Sequence, residues 1–161
     1  MGGGAGVNYP ETWTAGFVNR WHTNDSHELR NSQDTNHAHQ CRVALLMYAL
    51  FPDCTRDDLL ACLVHDLPEK VTGDVSGEVK RGNPSLAAML DDMSLEWLDR
   101  QGLLFNHHAA RLKLCDLLDA YLFARSINPT IVVADEWRLQ RADILLRSRD
   151  LGVVDIVKEW M

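Results

Sequence analysis

The chain has 161 residues, with 16 Lys and Arg against 23 Asp and Glu, and a formal net charge of −7 at pH 7. Hydrophobic residues make up 46% of it and charged residues 24%, a balance typical of globular rather than disordered proteins. The acidic balance argues against a nucleic-acid polymer as partner, because phosphate backbones need a basic surface. We expect one compact domain over residues 9–161, after a flexible glycine-rich tail at residues 1–8.

No segment of the sequence is typical of membrane insertion or secretion. The longest apolar run, Val43 to Phe51, has nine residues, whereas a membrane-spanning helix needs roughly 20. The N-terminus shows no charged stretch followed by an apolar one. The four cysteines form no CxxC pair, and free, mostly buried thiols in a reducing compartment are the simplest interpretation. We therefore expect a cytoplasmic protein without a membrane partner.

Hydrophobic periodicity predicts an all-α fold, a single bundle of six or seven helices. Two-residue alternation never lasts long enough to indicate a sheet. Segments with helical spacing of apolar residues cover about 10–19, 38–50, 55–67, 83–102, 106–126 and 133–146, and a short helix follows.

Local signals indicate where several of these helices begin. Thr55 is followed three residues later by Asp58, which resembles a capping box. Asn83 precedes a proline at a first helical position, and Asn106 is a further cap candidate. The polar residues 22–36 lack periodicity and predict a surface loop, and a loop of that length is often functional.

The adjacent pair His65 and Asp66, at the end of an apolar helix, is the clearest candidate for chemistry. Neutral imidazole and carboxylate are both good ligands for divalent transition metals. Successive side chains on a helix point about 100° apart, so one ion can bind both only where the helix is distorted. Pro68 supplies such a distortion, or the end of the helix.

Two more donors for such an ion stand on other predicted helices. One is His39 or His37, at the start of the preceding helix, and the other is Asp116, which has apolar neighbours on both sides. The simpler interpretation is that the histidines lie in a loop and that Asp116 belongs to a solvated face continuing at Asp119. The order of histidine, His-Asp pair and aspartate on three of the predicted helical segments favours the metal site.

The segment His65 to Asp74 reads HDLPEKVTGD and resembles the motif of HD-domain phosphohydrolases, most closely that of the bacterial 5′-deoxynucleotidases. That branch has a glutamate three residues after the aspartate, followed by Thr-Gly-Asp. The resemblance covers roughly residues 10–126. Further matches are the pair Arg20–Trp21, His39 followed by Val43–Ala44, Lys80 after a valine, and Asp116 within Lys113–Asp116.

The resemblance implies an all-α fold and one divalent ion, of Mn, Co, Fe, Mg or Zn, held by His39, His65, Asp66 and Asp116. It also implies hydrolysis of a nucleotide phosphate ester, for which the ion acidifies a bound water and neutralises phosphoryl charge. The mixed nitrogen and oxygen ligands do not select among these metals. Ala38 precedes His39 where the branch usually has an acidic residue, so His37 remains an alternative first ligand.

The resemblance assigns the catalytic role to Glu69, alongside the metal ligand Asp66. Glu69 stands four residues after His65, and its counterpart in the family positions the water or relays protons. The alternative is an exposed carboxylate that pairs with Lys70.

Four further residues are implied to bind the substrate. Arg20 would hold the phosphate with its forked guanidinium, and Trp21 would pack on the sugar or base. Asp74 would line the sugar pocket, and Lys80 would contact phosphate. The alternatives are a core tryptophan, a turn-forming aspartate and a solvated lysine.

The leading prediction is therefore a metal-dependent phosphohydrolase that converts deoxynucleoside monophosphates to deoxynucleosides and phosphate. An alternative is a deoxynucleoside triphosphohydrolase, like the compact phage enzymes that act on dATP. A third hypothesis is a non-catalytic helical module that keeps the metal for structure or binds nucleotides. A homo-oligomer is expected, with Trp137 and Trp160 as candidate subunit contacts.

Overall fold

The computed structural model describes residues 9–161, and the tail predicted at residues 1–8 lies outside them. Across the described residues the chain forms α-helices, with one 3₁₀ turn (Ile131–Val133) and one isolated β-bridge but no strand. The helices are α1 (Tyr9–Ala15), α2 (His27–Arg30), α3 (Asn36–Leu50), α4 (Arg56–Val64), α5 (Glu69–Thr72), α6 (Gly77–Gly82), α7 (Pro84–Arg100), α8 (Ala109–Ile127), α9 (Asp135–Asp150) and α10 (Val154–Trp160).

The all-α prediction is confirmed. The seven helices with seven residues or more correspond to the segments predicted from periodicity. The short α2 lies in the stretch predicted as a loop, and the short α5 and α6 were not predicted. Two predicted helices end early. The first stops at Ala15 rather than near residue 19, and α4 stops at Val64 rather than near residue 67. Among the described residues, no helix has the length and apolar character needed to cross a membrane.

The described chain divides into two compact units. Unit 1 comprises residues 9–38 and 64–105, and unit 2 comprises residues 39–63 and 106–161. In unit 1, the buried side chains of Ala15, Leu67 and Trp97 form a hydrophobic cluster. The Trp97 indole also donates a hydrogen bond of 3.3 Å to Glu11, which ties α7 to α1.

The core of unit 2 forms where α8 packs against α9, which also contacts α10. Leu114, Leu118 and Ile144 are fully buried in it. Tyr121 and Trp137 meet edge to face with ring centroids 6.3 Å apart. Trp137 was proposed above as a subunit contact, but only 4% of it is exposed. It therefore supports the core of its own unit and gives no argument for an oligomer.

The four cysteines are free, in agreement with the sequence prediction. Cys62 and Cys115 are buried, as expected for thiols on apolar helices. Burial raises the pKa of Cys62 to about 12, so this thiol is unreactive at neutral pH. Cys41 is exposed, contrary to the expectation of a buried thiol, because it lies on the outer side of α3.

A buried carboxylate joins the starts of α4 and α8 in unit 2. Asp58 is fully buried and accepts hydrogen bonds from the Thr55 backbone N–H (2.8 Å) and hydroxyl (2.9 Å). Thr55 in turn accepts from the Asp58 N–H at 3.1 Å, which confirms the predicted capping box. Asp58 also accepts from the His108 backbone N–H at 2.7 Å. The predicted cap at Asn106 is therefore wrong, because α8 begins after His108.

We expect Asp58→Asn to lower the free energy of unfolding by about 2–3 kcal/mol at pH 7, the value of hydrogen bonds to a charged group. Burial opposes ionisation, but the N–H donors of His108 and Thr55 hold the pKa of Asp58 well below its ordinary value of 3.8. A lowered native pKa stabilises the fold above the unfolded pKa, and this stabilisation is lost as pH falls below it. Urea unfolding at pH 7 and pH 3 measures both effects.

The matched control is Asp57→Asn, which removes a carboxylate from the same first turn of α4. Its expected cost is below about 1 kcal/mol, from the helix dipole alone. An Asp58→Asn cost that is equal at pH 7 and pH 3 would contradict the prediction.

Candidate metal centre

In unit 2, α3 places His39 in a wholly buried position between two carboxylates. Its Nδ1 lies 2.7 Å from Oδ2 of Asp119, and its Nε2 lies 3.3 Å from Oδ1 of Asp116. A carboxylate near neutral pH only accepts hydrogen bonds, so Nδ1 carries the hydrogen that binds Asp119. This tautomer leaves the lone pair of Nε2 directed towards the side of Asp116, as in carboxylate–histidine–metal arrangements.

Asp119 is held from its other side by Arg42. Arg42 donates from Nε to Oδ1 at 2.8 Å and from a terminal nitrogen to Oδ2 at 3.1 Å. Burial raises the pKa of Asp119, but the hydrogen bonds from His39 and Arg42 outweigh it and hold that pKa below its ordinary value. The residue is 4% exposed, so the alternative that Asp119 belongs to a solvated face is wrong. Asp119 acts as the group that orients His39.

Replacing Asp119 by asparagine is expected to weaken metal binding by about 10–100-fold, the usual effect of losing an outer partner of a ligand histidine. An amide binds Arg42 less firmly and does not fix the hydrogen on Nδ1 of His39. Equilibrium dialysis against Mn²⁺ measures the change. Asp143→Asn is the control, because Asp143 pairs with Arg147 on the exposed part of α9. Wild-type affinity in Asp119→Asn would contradict this role.

In unit 1, the chain tightens after Val64 and brings His65 and Asp66 together. Leu67 N–H bonds to the Val64 carbonyl at 3.0 Å, a turn of three residues rather than four. His65 Nε2 lies 3.4 Å from Oδ1 of Asp66, as the predicted distortion of the helix end requires. Arg20 donates to Oδ2 of Asp66 at 3.1 Å, so Arg20 and Asp66 are neighbours.

Glu69 begins the short helix α5 and is partly buried. Its Oε2 accepts a hydrogen bond of 2.8 Å from Nδ2 of Asn36. Burial and the nearby carboxylates of Asp66 and Asp74 raise the pKa of Glu69 to about 8. Lys70, the partner in the alternative interpretation, donates instead to the Thr14 hydroxyl at 2.8 Å. Glu69 is therefore not the exposed half of a Glu–Lys pair.

One ligand atom from each of His39, His65, Asp66 and Asp116 lies within 4.8 Å of the others, so this group could hold one metal ion. Two imidazole nitrogens and two carboxylates suit a divalent transition metal, so the donor chemistry fits the implied ion. His37 is not a member of the group. Its ring lies against Phe17 with centroids 5.6 Å apart, and a Cβ at Gly16 would overlap it. This packing favours His39 over His37 as the first ligand.

The predicted substrate residues also lie in unit 1. Trp21 has a positive φ of 67°, which is rare for a large side chain. Its indole donates to the buried Asp34 at 3.1 Å, and its backbone N–H lies 3.3 Å from Oδ2 of Asp74. Trp21 and Asp74 are therefore in contact, as substrate residues of one site need to be. Lys80 lies in the last turn of α6 and takes no part in these hydrogen bonds.

Comparisons with models of protein families, with curated proteins and with solved structures find no match for this chain. Three buried polar residues that hydrogen-bond to the predicted site residues were not themselves predicted to act: Asn36, Asp34 and Asp119. Only Asp119 has a signal in the sequence, a second acidic residue three positions after Asp116 on an apolar helix.

Proposed function

We propose that the protein hydrolyses the phosphate ester of a deoxynucleoside monophosphate, using a divalent ion held by His39, His65, Asp66 and Asp116. The observation that carries the proposal is the group of two imidazoles and two carboxylates whose ligand atoms lie within 4.8 Å of one another. The buried position of His39 and its bond to Asp119 support a preorganised ligand rather than a chance cluster.

Groups with catalytic chemistry lie beside the ligands of unit 1. Arg20 donates to Asp66, and the partly buried Glu69 follows Asp66 by three residues. A purely structural metal site needs neither a guanidinium nor a carboxylate with a raised pKa at its edge. These neighbours favour hydrolysis over the non-catalytic alternative.

In the proposed reaction the ion supplies Lewis acidity, which neutralises charge on the phosphoryl group. Arg20 binds a phosphate oxygen with donors of its guanidinium that Asp66 does not take. Glu69, in its ionised form, accepts a proton from the attacking water while the water oxygen bonds to phosphorus. The bond from phosphorus to the 5′ oxygen breaks, and the proton passes to that oxygen. Trp21 and Asp74 hold the nucleoside.

Product analysis tests the proposal. The purified protein is incubated with Mn²⁺ or Co²⁺ and a panel of deoxynucleoside mono- and triphosphates, and the products are separated by ion-exchange chromatography. The expected result is inorganic phosphate and deoxynucleoside from at least one monophosphate. A His65→Ala variant purified in the same way controls for contaminating phosphatases.

Three other outcomes would each contradict the proposed monophosphate reaction. Intact triphosphate released from one deoxynucleoside triphosphate would replace the monophosphate reaction by the triphosphohydrolase alternative. Equal turnover by the wild type and His65→Ala would place the activity in a contaminant. Metal binding without turnover on any member of the panel would favour the non-catalytic module.

A further inference from the structure

Asn36, the first residue of α3, is fully buried in unit 1, where its side chain contacts both the Glu69 carboxylate and the backbone of Asp66. Its side-chain nitrogen donates to Oε2 of Glu69 at 2.8 Å and to the backbone carbonyl of Asp66 at 3.0 Å. An amide nitrogen carries two hydrogens, so both donors are used. The reversed amide orientation would point an oxygen at two acceptors, which fixes the orientation described here.

The backbone holds Asn36 in place. Its N–H donates to the Val18 carbonyl at 3.0 Å, next to the isolated bridge between Asn19 and Thr35. Two positions before Asn36 in the chain, the Asp34 carbonyl accepts from the Arg20 N–H at 2.9 Å. The same short antiparallel pairing therefore positions Arg20 and Asn36 together.

We propose that Asn36 is a positioning residue that holds the Glu69 carboxylate and the turn at Asp66 in the arrangement needed for hydrolysis. This inference rests on the function proposed above and deepens it. A carboxylate on a four-residue helix has little of its own structure to fix its rotamer. The planar amide of Asn36, buried and tied to the backbone, supplies that constraint. The side-chain oxygen of Asn36 is also buried and has no hydrogen-bond partner among the described residues. This oxygen is suited to accept a hydrogen bond from a water molecule.

The test is Asn36→Asp, which keeps the shape and replaces the donor by an oxygen facing Glu69. We expect kcat on the best monophosphate to fall about 10–100-fold, with KM and metal content within about threefold of the wild type. Asn83→Asp is the control, because Asn83 caps α7 through its side-chain oxygen and aspartate caps equally well. Thermal unfolding of all variants shows whether they fold, and Asn36→Ser replaces Asn36→Asp if the latter does not.

A double-mutant cycle separates positioning from a general structural role. If Asn36 acts through Glu69, adding Asn36→Asp to Glu69→Gln lowers kcat by less than about threefold more. The proposal is overturned if the losses in kcat of the two single variants multiply in the double variant. It is also overturned if Asn36→Asp folds and keeps the wild-type kcat. If the wild type turns over no nucleotide, the proposed function itself fails and this role falls with it. Failure of the proposed function is therefore detected with the wild type alone, whereas failure of the Asn36 role is detected only with the variants.

Discussion

Replacing Glu69 by glutamine is expected to lower kcat by about 10²–10⁴-fold, the usual contribution of a general acid or base. Glutamine keeps the size of the side chain and can present its carbonyl oxygen to Asn36, which donates to Glu69 at 2.8 Å. The hydrogen bond is then retained while the ability to take a proton from water is lost. Steady-state kinetics on the best monophosphate, with metal content measured in parallel, test this expectation.

Glu78→Gln is the matched control, because Glu78 is exposed on α6 and belongs to the same unit. It should keep both turnover and metal. Glu69→Gln should keep the metal, since Glu69 is outside the ligand group. Turnover within about threefold of the wild type would remove Glu69 from the mechanism, and loss of the metal together with turnover would make it a ligand instead.

Removing the His39 imidazole is expected to weaken Mn²⁺ binding by more than about 100-fold, beyond the 10–100-fold typical of outer partners. His39 is wholly buried, and its Nε2 lies 3.3 Å from the carboxylate of Asp116. Two variants, His39→Ala and the larger His39→Gln, separate loss of the ligand from loss of packing. Equilibrium dialysis or titration calorimetry gives the affinities.

His37 provides a control within the same helix, two residues away in α3. It packs against Phe17 and next to Gly16, so His37→Ala should bind Mn²⁺ as the wild type does. If Mn²⁺ binding were instead lost in His37→Ala and kept in both His39 variants, the metal ligand would be His37 and not His39. Unchanged binding in all three variants would make the ligand set wrong.

Features encoded by neighbouring residues were predicted well from the sequence. Periodicity located the seven longer helices, and the capping box of Thr55 and Asp58 and the cap at Asn83 formed as expected. The distortion that lets His65 and Asp66 approach each other was also predictable, because Pro68 stands two residues after Asp66. Each of these depends on residues a few positions apart.

Several hydrogen bonds between distant residues were missed, although the family resemblance had named the four candidate metal ligands. Asn36 and Glu69 are separated by 33 positions, and His39 and Asp119 by 80. The cap expected at Asn106 failed because Asp58, 50 positions before His108, takes the N–H of that residue. A polar residue inside a polar stretch, such as Asn36 at the end of the predicted loop, looks solvated until the fold supplies its partner. No local pattern distinguishes such residues from surface ones.

The bridge between Asn19 and Thr35 closes the chain from Arg20 to Asp34 into a loop with fixed ends. Lengthening such a loop adds little entropy cost, about 0.6 kcal/mol for each doubling. Its exposed middle, which includes Asn31, is therefore free to vary in length and sequence between related proteins. Under the proposed function, a change in this segment, with Trp21 at its base, is expected to alter nucleoside preference without changing the ligand residues.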